Sequence, residues 1–227
     1  MSRCQEAIIL CGGLGTRLKS VISNIPKPMA PIKDKPFLEF ILEYLKRQNI
    51  TKIILAVSYK YEIIQNYFQN SYLDMEIVYS IENEPLGTGG ATLQALKLID
   101  GDNAYVLNGD TIFDISLSDL TLKDSKICVA LKQMKDFDRY GSVNIDKYDN
   151  IISFNEKKFT SDGLINGGIY LVSKDIFNGF NLNSKFSFEE FFQNNFLKLK
   201  ARACVFDRYF IDIGIPQDYR KFINDNS

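Results

Sequence analysis

A three-layer α/β/α fold of the Rossmann-like type, with a mixed and mainly parallel sheet, is predicted by three observations. Short, wholly apolar runs alternate with stretches of helical period through the first half of the chain. Runs without polar alternation are what strands buried on both faces require. The connections between these segments are only a few residues long, as consecutive βα units allow. The first run also ends directly in a glycine-rich loop, and sheets of this type meet their ligands at such carboxyl-end loops.

The elements follow in order. Residues 7–10 form a first short buried strand. Phe37, Leu38, Ile41, Leu42 and Leu45 recur at helical spacing, which predicts a helix over 37–48. Residues 52–57 are a continuous apolar strand, 61–68 a helix and 75–79 a strand. Helical period returns over 89–98, and 104–107 is again a strand. The second half changes texture, with strands at 127–131, 142–145, 151–154 and 168–172 and few helices between them. A helix over 188–197, a strand over 201–206 and a helix over 216–223 complete the chain. Pro216 suits the first turn of that last helix, where its missing N–H has no intrahelical partner to lose. The 227 residues suffice for one well-buried core and are too few for two domains of usual size, so residues 1–227 are expected to form a single domain.

Bulk properties exclude several classes of function. The 27 basic residues nearly balance the 28 acidic ones, for a formal charge of −1, and no long basic run occurs. Neither a nucleic acid nor a membrane surface is therefore an expected partner. No apolar run approaches a membrane span and the N-terminal residues lack a leader pattern, which makes a cytoplasmic location the expectation. The four cysteines, Cys4, Cys11, Cys128 and Cys204, are scattered and fit reduced packing thiols, with Cys11 in the glycine loop open to alkylation. The chain contains no histidine, which removes Ser-His-Asp triads, Cys-His dyads and His-ligated zinc together. Any chemistry must rest on carboxylates, Lys, Arg and metal ions.

The glycine loop itself reads as a polyphosphate site. After Leu10 and Cys11 come Gly12, Gly13, Gly15, Thr16 and Arg17, and Pro26-Lys27-Pro28-Met29 follows. Glycines expose backbone N–H groups to a polyanion, and Arg17 and Lys27 add two cations suited to phosphate oxygens. No Gly-Lys-Ser/Thr follows, so this is not a P-loop. A dinucleotide fingerprint would need glycine where Leu18 stands. Triphosphate binding is the remaining expectation, with Arg17 and Lys27 as catalytic cations.

A second loop, Tyr79 to Gly90, follows a strand and opens a helix. It carries Glu82, Glu84, Pro85, Gly87 and Thr88. Guanine presents adjacent N1–H and N2–H₂ donors, which a carboxylate matches with two acceptors. Uracil or thymine presents one donor between two carbonyls and suits Gln or Asn better. Glu82, and secondarily Glu84, therefore predict a guanine nucleotide, with Gly87 allowing backbone to approach the base. Asn108-Gly109-Asp110 follows a predicted strand at the ligand edge of the sheet, where Asp110 can contact a ligand or cap the loop.

These residues carry a resemblance. GGxGTRL followed by PKPM looks like the pyrophosphorylase motif of the sugar-1-phosphate nucleotidylyltransferases. The likeness continues in order through PLGTGG, Asn108-Gly109-Asp110, Arg139-Tyr140-Gly141, Phe154-Asn155-Glu156-Lys157, Asn166-Gly167-Gly168-Ile169-Tyr170 and Asp212-Ile213-Gly214-Ile215-Pro216-Gln217-Asp218-Tyr219. Ile215, where many relatives have Thr, and Lys158, where they often have Pro, are departures. The resemblance implies the nucleotide-diphospho-sugar transferase fold, residues 1–120 as a nucleotide-binding half and 121–227 as a sugar-phosphate-binding half. It implies Mg²⁺ held by Asp110 and Asp212, and a sugar pocket using Gly141, Glu156, Lys157, Asn166 and Gly167. Asp218 is expected to be a surface or capping residue. The wording is most similar to the D-glycero-α-D-manno-heptose 1-phosphate guanylyltransferases, which implies GTP and a heptose 1-phosphate as substrates and a GDP-heptose for surface polysaccharide. Mannose-1-phosphate guanylyltransferases, uridylyltransferases of the same fold and a non-catalytic nucleotide-sugar-binding subunit are the alternatives. A homodimer would be ordinary for such a chain.

Overall fold

A computed structural model describes residues 4–13 and 25–226. The elements in order are β1 (Glu6–Leu10), β2 (Pro31–Ile32), β3 (Lys35–Pro36), α1 (Phe37–Arg47), β4 (Lys52–Val57), α2 (Tyr61–Phe68), β5 (Ser71–Tyr72) and β6 (Met75–Ile81). Then come α3 (Gly87–Ala95), β7 (Asn103–Asn108), β8 (Thr111–Phe113), β9 (Ile127–Phe137), β10 (Ser142–Ile145), β11 (Ile151–Asn155) and β12 (Thr160–Ser173). Helix α4 (Phe188–Asn195), β13 (Arg202–Phe206), β14 (Phe210–Asp212) and α5 (Pro216–Asp225) complete them.

The apolar runs pair as a parallel centre. β1 lies between β4 and β7, and β6 adds beyond β4, all in parallel register. β12 joins antiparallel to β7 and carries β10, β11 and β9, while β13 pairs parallel with β9. The sheet is therefore mixed around a parallel core, and strands from both halves of the chain share it. Side-chain alternation along β1 explains the layers. Ala7 and Ile9 enter one core with α1, α2 and α5, and Ile8 enters the other with α3 and α4.

Most expected elements appear with bounds close to those predicted, and three differences have physical causes. The helix expected over 89–98 begins two residues earlier, at Gly87, and its last turn over Leu96–Leu98 tightens to 3-10 geometry. β9 and β12 run longer than their apolar segments because they form a long antiparallel ribbon, whose polar end has only to satisfy backbone hydrogen bonds. β8 and β14 were not expected at all. Each is only three residues long, and they form a separate two-stranded ribbon that sets Asp212 opposite Thr111.

Candidate active site

The parallel strands end on one side of the sheet, at Leu10, Val57, Ile81 and Asn108, and two cavities open there. The first, of about 760 Å³, is lined by Leu10, Gly12 and Gly13 after β1, Ser58 to Glu62 after β4, and Ile81, Glu82, Asn83, Pro85, Gly87 and Thr88 after β6. Gly13 has φ +117°, a left-handed conformation that glycine adopts without a Cβ penalty. A Cβ on Gly12 would stand 3.0 Å from Glu82 Oε1, so the glycine loop and the base loop face each other directly. Glu82 Oε2 accepts from the Leu86 N–H at 2.8 Å, which fixes the carboxylate inside its own loop. Burial raises its pKa, and the Leu86 N–H opposes that rise only in part. Glu84 is exposed and is not among the residues lining the cavity.

The glycines of the base loop serve a contact the sequence did not reveal. A Cβ on Gly87 would lie 2.5 Å from the Phe186 carbonyl oxygen and one on Gly90 2.6 Å from the Ser184 carbonyl oxygen, while one on Gly89 would enter the Phe186 ring. Gly87 lines the cavity, yet its lack of a Cβ is needed by the packed segment of residues 184–186 rather than by a base. Backbone bonds from Phe186 N–H to Leu86 O at 3.0 Å and from Gly89 N–H to Phe186 O at 2.9 Å seal this contact. Thr88 ties it further. Its hydroxyl donates to Glu189 Oε2 at 3.0 Å and accepts from the Phe188 N–H at 2.9 Å. Gly87→Ala is expected to cost about 2–4 kcal/mol, because the φ of +70° and the backbone oxygen both oppose a side chain. A urea melt matching the parent protein would remove this account of the loop.

The second cavity, of about 350 Å³, is lined by Asn108 and Thr111 from the first half and by Tyr140, Gly141, Phe154, Asn155, Lys157, Asn166, Gly167, Glu189, Gln193 and Asp212 from the second. The Asn166-Gly167-Gly168 segment interrupts the β12–β9 register, and Gly168 takes φ +72°. This bulge re-aims Asn166 into the cavity. The Asn166 side chain is already engaged, donating to the Tyr170 hydroxyl at 2.7 Å and accepting from the Gly168 N–H at 3.0 Å. Phe154 packs edge-on against Phe192 and Phe196, which braces the wall. Gly141 lines the cavity, but a Cβ there would stand 2.6 Å from the Asn155 carbonyl oxygen, so the approach of the strands already demands glycine. Lys157 lines the cavity, and its neighbour Glu156, in the loop between β11 and β12, is exposed and is not among the lining residues. Glu189 stands in the cavity instead, at the start of α4, where Ser187 caps the Glu190 N–H at 3.2 Å.

Asp110 and Asp212 come together as the resemblance implied. The Ile213 N–H donates to the Asp110 carbonyl at 3.0 Å, and the β8–β14 ribbon holds the two segments side by side. Asp212 is raised in pKa first by burial and then by the negative charge of Asp110, with Lys27 acting in the opposite sense. Lys27 reaches Asp110 as an ion pair, and Asp212 Oδ1 accepts from the Gly214 N–H at 2.7 Å. Gly109 donates its N–H to Leu10 O at 3.0 Å, and a Cβ there would clash with that oxygen. Asp218 pairs with Arg139 at 2.6 Å on the neighbouring surface. Cys11 is buried, and burial with Asp110 nearby pushes its thiol up, so the expected alkylation site is a packing residue. Gly15, Thr16 and Arg17 lie outside the described residues.

Sequence reasoning missed Tyr59, Glu62, Lys185, Glu189 and Gln193. The helix expected over 188–197, together with the Ser-x-x-Glu capping pattern at Ser187, marks the start of α4 and hence the place of Glu189.

Comparison with known proteins gives a consistent picture. The family model described as nucleotidyl transferase matches residues 6–226. The chain is 68% identical over 221 residues to the D-glycero-α-D-manno-heptose 1-phosphate guanylyltransferase of Campylobacter jejuni, covering 97% of this chain and 100% of that one. It is 49% identical to the enzyme of the same name from Aneurinibacillus thermoaerophilus, with 95% and 96% of the two chains covered. Among solved structures, HddC from Yersinia pseudotuberculosis complexed with GMP-PN superposes with a TM-score of 0.84 at 40% identity, covering 98% of this chain and 100% of that one.

Proposed function

We propose that this chain, which belongs to the nucleotidyl transferase family, transfers a guanylyl group from GTP to D-glycero-α-D-manno-heptose 1-phosphate, giving GDP-heptose and pyrophosphate. The observation that carries the reading is the pair of cavities at the carboxyl ends of the parallel strands, one holding Glu82 and the other Lys157, Asn166, Glu189 and Asp212, with Asp110 held beside Asp212. Relatives aligned over nearly the whole chain bear the same activity in their names, which supports the choice of base and sugar.

The chemistry follows from charge. A sugar-phosphate oxygen attacks the α-phosphorus, the bond from that phosphorus to the bridging oxygen breaks, and pyrophosphate leaves. A phosphate monoester is already anionic near neutral pH, so no histidine or other general base is required. The barrier is the meeting of two polyanions, and positioning with charge neutralisation lowers it. The triphosphate is assigned to the cations Lys27 and Arg17 and to the backbone N–H groups of the glycine loop. Lys157 holds the incoming phosphate, and Asn166 and Glu189 orient sugar hydroxyls.

The donor set of Asp110 and Asp212 fits Mg²⁺, which takes one or two carboxylates and completes its shell with water and phosphate oxygens. Among the described residues no group of three His, Cys, Asp or Glu forms a metal cluster, so two hard oxygen donors are what the protein offers. Bound there, Mg²⁺ would supply neutralisation of the phosphate charge. Among the described residues no helix is long and apolar enough to cross a membrane.

Pyrophosphate release with Mg²⁺ tests the reading, with GTP, UTP, CTP, ATP and dTTP crossed against heptose, mannose, glucose and N-acetylhexosamine 1-phosphates. The strongest signal should come from GTP with the heptose phosphate. UTP in the lead would refute the carboxylate–guanine match, and mannose phosphate in the lead would refute the sugar. Silence across the panel with GDP-sugar still bound would identify a non-catalytic binding subunit.

A further inference from the structure

Among the described residues, those lining the nucleotide cavity come from the first half of the chain except for Lys185. It arrives there through the glycine contact. Ser184 and Phe186 lie against Gly87, Gly89 and Gly90, which places Lys185 between two fixed neighbours. A run of hydrogen bonds connects this segment to the base loop: Phe186 N–H donates to Leu86 O, and Leu86 N–H donates to Glu82 Oε2. Lys185 is therefore one residue from a chain of contacts that ends on the carboxylate assigned to guanine. Its side chain is exposed, and among the described residues no carboxylate pairs with its ammonium.

We infer that Lys185 is a base-reading residue, whose ammonium donates to the O6 and N7 acceptors of guanine while Glu82 accepts from its N1–H and N2–H₂. The inference rests on the guanine reading above and deepens it. Guanine is the base that offers two donors on one side and two acceptors beside them, and Lys to O6 and N7 is an established pairing geometry. Adenine puts an N6–H₂ donor where O6 would be, so the same ammonium would repel it. A phosphate role is the competing possibility for any cation in this cavity. The triphosphate, however, is assigned to the glycine loop with Lys27 and Arg17, whereas Lys185 is tied through its neighbour Phe186 and Leu86 to the base loop that carries Glu82.

Kinetics with GTP, 6-thio-GTP and 7-deaza-GTP separate these roles in the full chain. In the parent protein, loss of the O6 or N7 acceptor should raise KM about tenfold, equivalent to ~1.4 kcal/mol. Lys185→Ala should raise KM for GTP by a similar factor, change kcat little and abolish the preference for GTP over both analogues. Glu82→Gln should weaken GTP yet keep that preference, because it disturbs the other edge. Two outcomes would overturn the inference: an equal loss for GTP and both analogues in Lys185→Ala, which places the charge on phosphate, or kinetics identical to the parent. A parent protein that prefers UTP would overturn the guanine reading itself, and this is seen before any variant is made.

Discussion

Asp110→Asn should lower kcat by about a thousandfold with little change in the urea midpoint, the scale on which loss of a preorganised charge is felt at a phosphoryl-type centre. The same drop is expected for Asp212→Asn. The double variant should be scarcely worse than either single one, since the two carboxylates act as one unit. The Mg²⁺ concentration for half-maximal activity should rise in both. Stability should move the other way in chelator. Asp212 has a folded pKa raised by burial and by Asp110, so its ionised form opposes folding and that cost is present at neutral pH. It vanishes as pH falls through the raised folded value and below the unfolded one. Asp212→Asn keeps the acceptor for the Gly214 N–H and removes the charge, so the metal-free variant should melt above the parent at neutral pH. It should gain less from added Mg²⁺. Near-normal turnover in either single variant would end the assignment of the pair.

The parallel centre was legible because its strands are buried on both faces. Residues 52–57 and 61–68 read correctly to the residue, since nothing but burial and helical period competes there. The β8–β14 ribbon was illegible for the opposite reason. Three residues carry no period, and Asp212 reaches Asp110 only through a pairing of segments about a hundred residues apart. The glycines of PLGTGG show a subtler limit. Their number signalled a close approach, but a sequence does not say what approaches, and the partner is Phe186 rather than a base. Glu156 and Lys157 are adjacent in the motif, but they stand in the loop between β11 and β12, whose course carries no periodicity that a sequence could reveal, and of the two only Lys157 lines the cavity.

That packed contact also gives the two cavities a common wall. Thr88 lines the nucleotide cavity, and its hydroxyl holds Glu189, which lines the sugar cavity. The start of α3 and the start of α4 are thus one rigid unit, and the base and the sugar are positioned against the same pair of helix ends.

Glu82→Gln should reduce kcat/KM for GTP by about a hundredfold or more, while UTP loses far less and the base preference narrows or inverts. A site built to hydrogen-bond a substrate discriminates by orders of magnitude, because a mismatched buried donor is left unpaired. With its oxygen accepting from the Leu86 N–H, as Glu82 Oε2 does, the Gln amide would turn its NH₂ toward guanine's own donors. The fold should tolerate the change. Burial raises the Glu82 pKa, so the ionised side chain opposes folding at neutral pH and a neutral isostere removes that cost. The same shift predicts a pH signature. As pH falls, Glu82 takes up its proton above the usual carboxylate range, one acceptor becomes a donor, and KM for GTP should rise. In Glu82→Gln this rise should be absent, and KM for GTP should stay high and flat across the same window. A parent KM without an acid limb, or a Gln variant that keeps full GTP selectivity, would take the carboxylate away from the base.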